Sequence, residues 1–378
     1  MSGAVTLFRV WGIPVRVHVS WLVIFGLIAW SLSVGYFPRV LPDLPLVAYW
    51  ANGLLAALLL FVSVFLHELS HSVAARRYGI PVSGITLHVF GGVSQLEREP
   101  GRPGVEAVVA IVGPLTSLMI AAVVAAADAL WAPPPAAAAV MRYLVLVNVV
   151  VGVFNLVPGF PLDGGRLLRA VLWKWKGNLR WATQMASRVG SAVAFLLMGL
   201  GIVRALAGEF LGGLWFVLIG VFLRQAAEGS YQQLVVRRAL APLAVRDVMT
   251  REVVHVPPGL SVAQVVHDFF WQHHVSSFPV LDGPQVVGIL SIHQLKALPQ
   301  ERWAETPVRE IMLPVTEPLI AAPGDRLWQA FEKLSQNGLG RLAVVENGAL
   351  VGYLSLKDVL HILAVSAAGS RGRPGGAP

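Results

Sequence analysis

Along its first 230 residues the chain alternates long apolar stretches with short polar, basic or Gly/Pro-rich breaks. Each stretch has about the 20 residues needed to cross a hydrocarbon core of about 30 Å. The pattern predicts six spans, near 17–36, 50–75, 104–130, 140–160, 187–206 and 209–226, the last two joined by a very short connection around Glu209. Between the second and third spans, 82–95 (VSGITLHVFGGVSQ) is rich in β-branched residues and carries a glycine pair, which predicts strands. It is too short to cross, so it is expected to form a small sheet at the membrane face, shielded by protein.

After about Tyr231 the pattern becomes that of a soluble domain, and an internal repeat appears. Val245-Arg246-Asp247-Val248-Met249 recurs as Val308-Arg309-Glu310-Ile311-Met312, and Val287-Gly288-Ile289-Leu290-Ser291 recurs as Val351-Gly352-Tyr353-Leu354-Ser355. Each copy reads strand, helix, two strands, helix. One such half is small for an independent core, so the two are expected to pack as a pseudo-symmetric α/β unit. The division that follows is a membrane domain over 1–230, two repeat halves over 242–300 and 303–365, and a disordered tail over 366–378.

Composition supports that reading. The chain is 56% hydrophobic and only 13% charged, against roughly 25% charged for ordinary soluble domains. The net charge of +8 would suggest nucleic acid in a soluble protein. Here the basic residues cluster beside the spans, so the charge is read as topology and no nucleic-acid partner is expected. With the N-terminus inside, residues such as Arg76, Arg77, Arg166, Lys174 and Arg180 gather on the inner side, while the outer side keeps mainly Arg39, Arg142 and Arg204. Both ends are therefore expected in the cytoplasm, with the protein multi-pass in the cell membrane. The start is not expected to be a cleavable signal, because its apolar run continues to about Tyr36. Cysteine is absent, which excludes disulfides, a thiol nucleophile and a thiolate metal site.

Within the second span lies His67-Glu68-Leu69-Ser70-His71. This spacing puts two imidazoles one helical turn apart on one face, with a carboxylate beside them. Each ionisable group at such depth costs several kcal/mol unless it is paired or bound to a metal. Zinc hydrolysis needs three protein ligands and an open position, and the best third ligand is Asp163, in the run Asn155 to Arg166, where Pro158, Gly159 and Pro161 break the fourth span. At 1.5 Å per residue His67 sits about 14 Å below the level of Arg76, and Asp163 precedes Arg166 by three residues, so both belong to the inner half. Other readings stay open at this point: a buried histidine pair, Asp163 as a helix N-cap, and Asn155 satisfying backbone at a kink. His88 is read as structural, and the basic loop Arg166 to Arg188 as a topology determinant.

These residues resemble the site-2 protease family of intramembrane zinc metalloproteases, whose pattern is HExxH in one span and N-x-x-P-x-x-x-x-D-G in a later one. His67, Glu68 and His71 match the first motif, and Asn155, Pro158, Asp163 and Gly164 the second. Gly91-Gly92 and Gly113-Pro114 also resemble family elements, so the likeness covers roughly residues 1–230. It implies a polytopic α-helical membrane fold with a short membrane-associated sheet. It further implies one Zn2+ held by His67, His71 and Asp163, and Glu68 as the group that moves the proton of the attacking water to the leaving amine. Asn155 would contact the substrate carbonyl or oxyanion, and the Gly91-Gly92 strand would pair with an unwound transmembrane segment of another membrane protein. The repeat resembles a CBS-domain pair over 242–365. Such pairs bind adenine nucleotides through a Ser/Thr-x-x-Asp turn, which Ser355 and Asp358 match, whereas the first copy has Ser291 and Gln294. One nucleotide site is the expectation, and a ligand-free module that forms a homodimer is the other reading. An ion transporter or channel, and a catalytically silent client-binding protein, are the competing functions.

Overall fold

The computed structural model describes residues 4–88, 91–96 and 98–371. The chain divides into two compact units between Gln233 and Leu234. Among the described residues of the chain, six helices are long and apolar enough to cross a membrane: α1 (Val19–Val40), α2 (Leu46–Arg77), α3 (Pro103–Trp131), α4 (Pro135–Asn155), α6 (Leu179–Leu206) and α7 (Phe210–Leu240). The amphipathic helix α5 (Asp163–Lys176) lies between the fourth and fifth of them. All six expected spans are present, most longer than their apolar cores because the helices run on into polar ends.

The first unit also carries a four-stranded sheet, β1 (Ala4–Val10), β2 (Ile13–His18), β3 (Val82–His88) and β4 (Gly91–Leu96), in that order. The β1–β2 hairpin is absent from the sequence reading, which treats these residues as the approach to the first span. Its two-residue turn, Trp11-Gly12, has both residues at positive φ, the geometry that matches strand twist in a tight hairpin. Strand β2 then pairs in parallel with β3, and β3 pairs antiparallel with β4, leaving β4 as a free edge.

The basic loop expected over 166–188 is largely helix. Helix α5 ends at Gly177 in the left-handed conformation, and α6 begins with Asn178 accepting from the Trp181 N–H. The glycine pair after Asp163 explains why a weak helix former is used here. A Cβ on Gly164 would overlap the carbonyls of Leu156 and Val157, and one on Gly165 would overlap the backbone of Gly159 and Phe160. The first turn of α5 therefore lies directly on the loop that ends α4. Two turns in, Arg169 is buried against Glu106 of α3, its Nε donating to Oε1 at 2.6 Å, and its guanidinium lies 5.2 Å from the Phe160 ring centre.

The second unit holds a mixed sheet in the order β5 (Ser277–Asp282), β6 (Gln285–Ser291), β10 (Ala349–Ser355), β9 (Arg341–Glu346), β8 (Ile320–Ala321), with β7 (Leu313–Pro314) paired to β6. The first strand expected in copy one is reduced to a single bridge, Val256 to Val280. The two copies exchange their leading segments. Val245, at the head of copy one, sits in the core with Leu327, Leu342 and Leu354 of copy two, and Val308, at the head of copy two, sits in the core with Val262, Phe278 and Leu290 of copy one. The repeated Gly and Met positions interlock in the same reciprocal way: the sulfur of Met312 lies where a Cβ on Gly288 would stand, and that of Met249 where one on Gly352 would. The last helix, Leu356–Arg371, corrects the tail reading, since residues 366–371 continue it; 372–378 lie outside the described residues.

Candidate metal centre

The i, i+4 spacing on α2 brings Nε2 of His67 and Nε2 of His71 to the same oxygen, Oδ2 of Asp163, at 3.2 and 3.1 Å. The three residues are the described His/Asp/Glu group whose ligand atoms lie close enough, within 4.8 Å of one another, to hold one ion. Asp163 is not the N-cap considered above. Leu162 occupies that position without a side-chain cap, and Asp163 is the first helical residue, with its carboxylate turned to the histidines.

The other face of each imidazole is fixed by α3. His71 Nδ1 donates to the Val109 carbonyl at 2.6 Å, and His67 Nδ1 meets Ser117 Oγ at 2.9 Å. Between these positions Gly113 leaves a hollow: a Cβ there would overlap Nε2 of His71 and stand 2.6 Å from Nε2 of His67. Val109, Gly113 and Ser117 recur every four residues and so present one face of α3 to the histidines.

A metal fits this set on its chemistry. With the His71 proton on Nδ1, its Nε2 carries a lone pair aimed at a carboxylate oxygen, and two acceptors face each other unless a proton or a cation lies between them. Ligands on one tetrahedral zinc stand about 3.3 Å apart for bonds of about 2.0–2.1 Å, close to the separations here. Fixing both Nδ1 atoms on partners outside the ligand set is the usual way a metal-binding histidine is oriented.

Glu68, on the neighbouring face of α2, is tied to the free-edge strand. Its Oε2 accepts the Ser94 N–H at 3.1 Å, and its main-chain carbonyl accepts the Ser94 hydroxyl at 2.9 Å. Gly92 lets the strand come this near, since a Cβ on it would overlap Glu68 Cγ. The Asn155 amide donates to the Val151 carbonyl in its own helix at 3.0 Å, the backbone contact that one of the two readings of this residue foresaw. His88 bonds to the Gly91 carbonyl at 2.8 Å, as a structural residue would. In the second unit Ser355 and Asp358 form a helix-capping box, with Asp358 Oδ2 accepting from the Ser355 N–H at 2.9 Å and hydroxyl at 2.6 Å. Ser291 and Gln294 form the same box in copy one, so the conserved geometry of this turn survives loss of the charge. Ser117, Val109, Ser94, Glu106 and Arg169 were not singled out from sequence; the four-residue stripe through Gly113 was the available signal.

A histidine pair on the membrane helix α2 and an aspartate at the start of α5, backed by α3 and with a glutamate held against a sheet edge, make up a metalloprotease-type site in a membrane-helix frame. The chain belongs to peptidase family M50, the site-2 protease family of zinc metalloproteases, and carries a CBS-domain pair. The description "Peptidase family M50" matches residues 55–133 and 132–197, and "CBS domain" matches 245–299 and 308–365. Two of the relatives align with nearly the whole chain. The Mycobacterium tuberculosis protein named "Putative zinc metalloprotease Rip3" is 35% identical over 97% of this chain and 94% of its own. The Synechocystis protein sll0528, with the same style of name, is 32% identical over 97% of both chains. Among solved structures, the site-2 protease from Methanocaldococcus jannaschii is 30% identical, covering 60% of this chain and 95% of its own at a TM-score of 0.43.

Proposed function

We propose that the protein is a zinc endopeptidase that hydrolyses peptide bonds within or near transmembrane segments of other membrane proteins, with His67, His71 and Asp163 holding the zinc. The observation that carries this reading is the convergence of both Nε2 atoms on Asp163 Oδ2 over the Gly113 hollow. Zinc, when bound, supplies a Lewis acid for the scissile carbonyl and brings the pKa of water toward about 7.

The chain's own residues do the rest. Glu68 takes a proton from the attacking water and delivers it to the leaving amine nitrogen, and Ser94 keeps its carboxylate aimed by donating to Oε2. The β4 edge pairs with the substrate in extended form, which exposes a carbonyl that a helix would keep hydrogen-bonded. Asn155 serves the substrate carbonyl or oxyanion after its amide leaves the Val151 carbonyl. The N-terminus and the CBS pair lie in the cytoplasm, on the side of Arg76, Arg77 and Lys174. The pair takes one adenine nucleotide at the Ser355–Asp358 turn, where the bonds to Asp358 from the described residues fall on Oδ2 and leave Oδ1 for a ribose, and assembles the protein as a homodimer.

The test is metal content and cleavage together. Protein purified with zinc present should hold about one zinc per chain, and Glu68→Gln should keep that metal while a transmembrane stub accumulates in membranes of cells that carry it. Zinc-free protein, or a Glu68→Gln variant that still cleaves, would overturn the reading.

A further inference from the structure

The last two membrane helices leave a groove between them that the hydrolytic site does not use. Gln184, Ser187, Arg188 and Ser191 recur every three or four residues on one face of α6, and with Tyr231 and Gln232 of α7 they line a cavity of about 460 Å3. Glu228, on the same rim, is held by Arg224 at 2.9 Å, and Arg224 lies over Phe195 at 4.9 Å. Arg188 has no ion-pair partner among the described residues, so the groove carries one uncompensated positive charge. At its back, Ser187 is only 7% exposed and its hydroxyl has no hydrogen-bond partner among the described residues. A buried hydroxyl left unpartnered is costly, and it points to a ligand that supplies the missing acceptor.

Depth narrows the ligand. Arg188 and Arg204 are sixteen residues apart on α6, about 24 Å at 1.5 Å per residue, so they mark the two faces of one hydrocarbon core. The polar part of the groove therefore lies at headgroup depth, on the side of Lys174, Lys176 and Arg180. Its other end, at Ala192 and the exposed ring of Phe195, continues toward the core. A ligand with an anionic head and an apolar tail matches both ends.

We propose that this groove binds an anionic phospholipid of the adjacent leaflet, its phosphate paired with Arg188 and accepting from the hydroxyls of Ser187, Ser191 and Tyr231. The opposite side of the same helix turns braces the metal-centre loop. The Ala186 carbonyl accepts the Phe160 N–H at 3.3 Å, and a Cβ on Gly190 would overlap the Phe160 backbone. Phe160 is three residues before Asp163. Bound lipid thus steadies the helix segment on which the Asp163 loop is folded.

In detergent-purified full-length protein with phosphatidylglycerol added, native mass spectrometry should show one retained lipid per chain. Arg188→Gln should lower the retained fraction about tenfold or more, as expected for loss of a charge-assisted contact, whereas Arg204→Gln should leave it unchanged. Hydrogen exchange over 156–166 should slow with lipid in the parent protein and not in Arg188→Gln. If Arg188→Gln does not fold, Ser191→Val combined with Tyr231→Phe carries the same expectation. Equal retention by these variants, no retention by the parent protein, or displacement of the lipid by inorganic phosphate would each overturn the assignment, the last by making the groove a free-anion site.

Discussion

Gly113 on α3 and His71 on α2 approach so closely that a methyl group on residue 113 would overlap His71 Nε2. Gly113→Ala is therefore expected to fill the hollow where an ion would sit and to lower zinc content at least about tenfold, as for loss of a ligand's orientation. Elemental analysis of purified protein measures the loss. An unchanged helical circular-dichroism spectrum would show that the helices themselves survive.

Gly165→Ala tests the seating of Asp163 without touching a ligand. Its Cβ would meet the backbone of Gly159 and Phe160, which cannot move aside as a flexible side chain would. Overpacking of this kind costs about 1–3 kcal/mol. The thermal unfolding midpoint in detergent should fall, and zinc affinity should fall with it, because α5 must lift from the loop that sets the Asp163 carboxylate.

The Glu106–Arg169 pair is almost wholly buried. Arg169→Met should destabilise the membrane unit by about 3–5 kcal/mol, since it leaves a carboxylate without its cation. Adding Glu106→Gln should recover a large part of that loss. Denaturation of the two single variants and the double variant, analysed as a thermodynamic cycle, measures the coupling; additive effects would contradict it.

Tyr353 joins the two repeat halves through its hydroxyl, 3.1 Å from Ser277 Oγ. Burial pushes the phenol up to about 12. Below the unfolded value of about 10 both folded and unfolded states are protonated and the full contribution is present. Above it the unfolded chain ionises first, so stability is lost as pH rises through the folded value. Ultraviolet titration of tyrosinate should lose one phenol's worth of its high-pH amplitude in Tyr353→Phe.

Asp358→Ala removes one side of a capping box and should cost the last helix about 0.5–2 kcal/mol. Asp358→Gln should cost less, because Gln294 already caps the equivalent helix in copy one. If Asp358 also holds a ribose, both variants should weaken adenosine-nucleotide binding in isothermal titration, which separates capping from recognition.

The metal centre was legible because its chemistry depends on a four-residue helical spacing and on one acidic residue after a helix break, both visible in His67, His71 and Asp163. Its supporting groups were not, because each donates or accepts through ordinary atoms: Val109 by its carbonyl, Ser94 by its N–H, Gly113 by having no side chain. Helix α5 read as a loop for a related reason. Gly164 and Gly165 lower helix propensity, and the need for close backbone approach that explains them belongs to tertiary packing. The β1–β2 hairpin was hidden because most of β1 is exposed, so its residues lack the alternation that marks a half-buried strand.

The exchanged leading segments of the repeat give the second unit an indivisible character. A chain cut in the connection between Leu298 and Thr306 would leave copy one without Val308 and copy two without Val245, so neither piece would own a whole interior. The pair should therefore melt in a single transition, and duplicating one half could replace it only by bringing a second half to lend the missing segment.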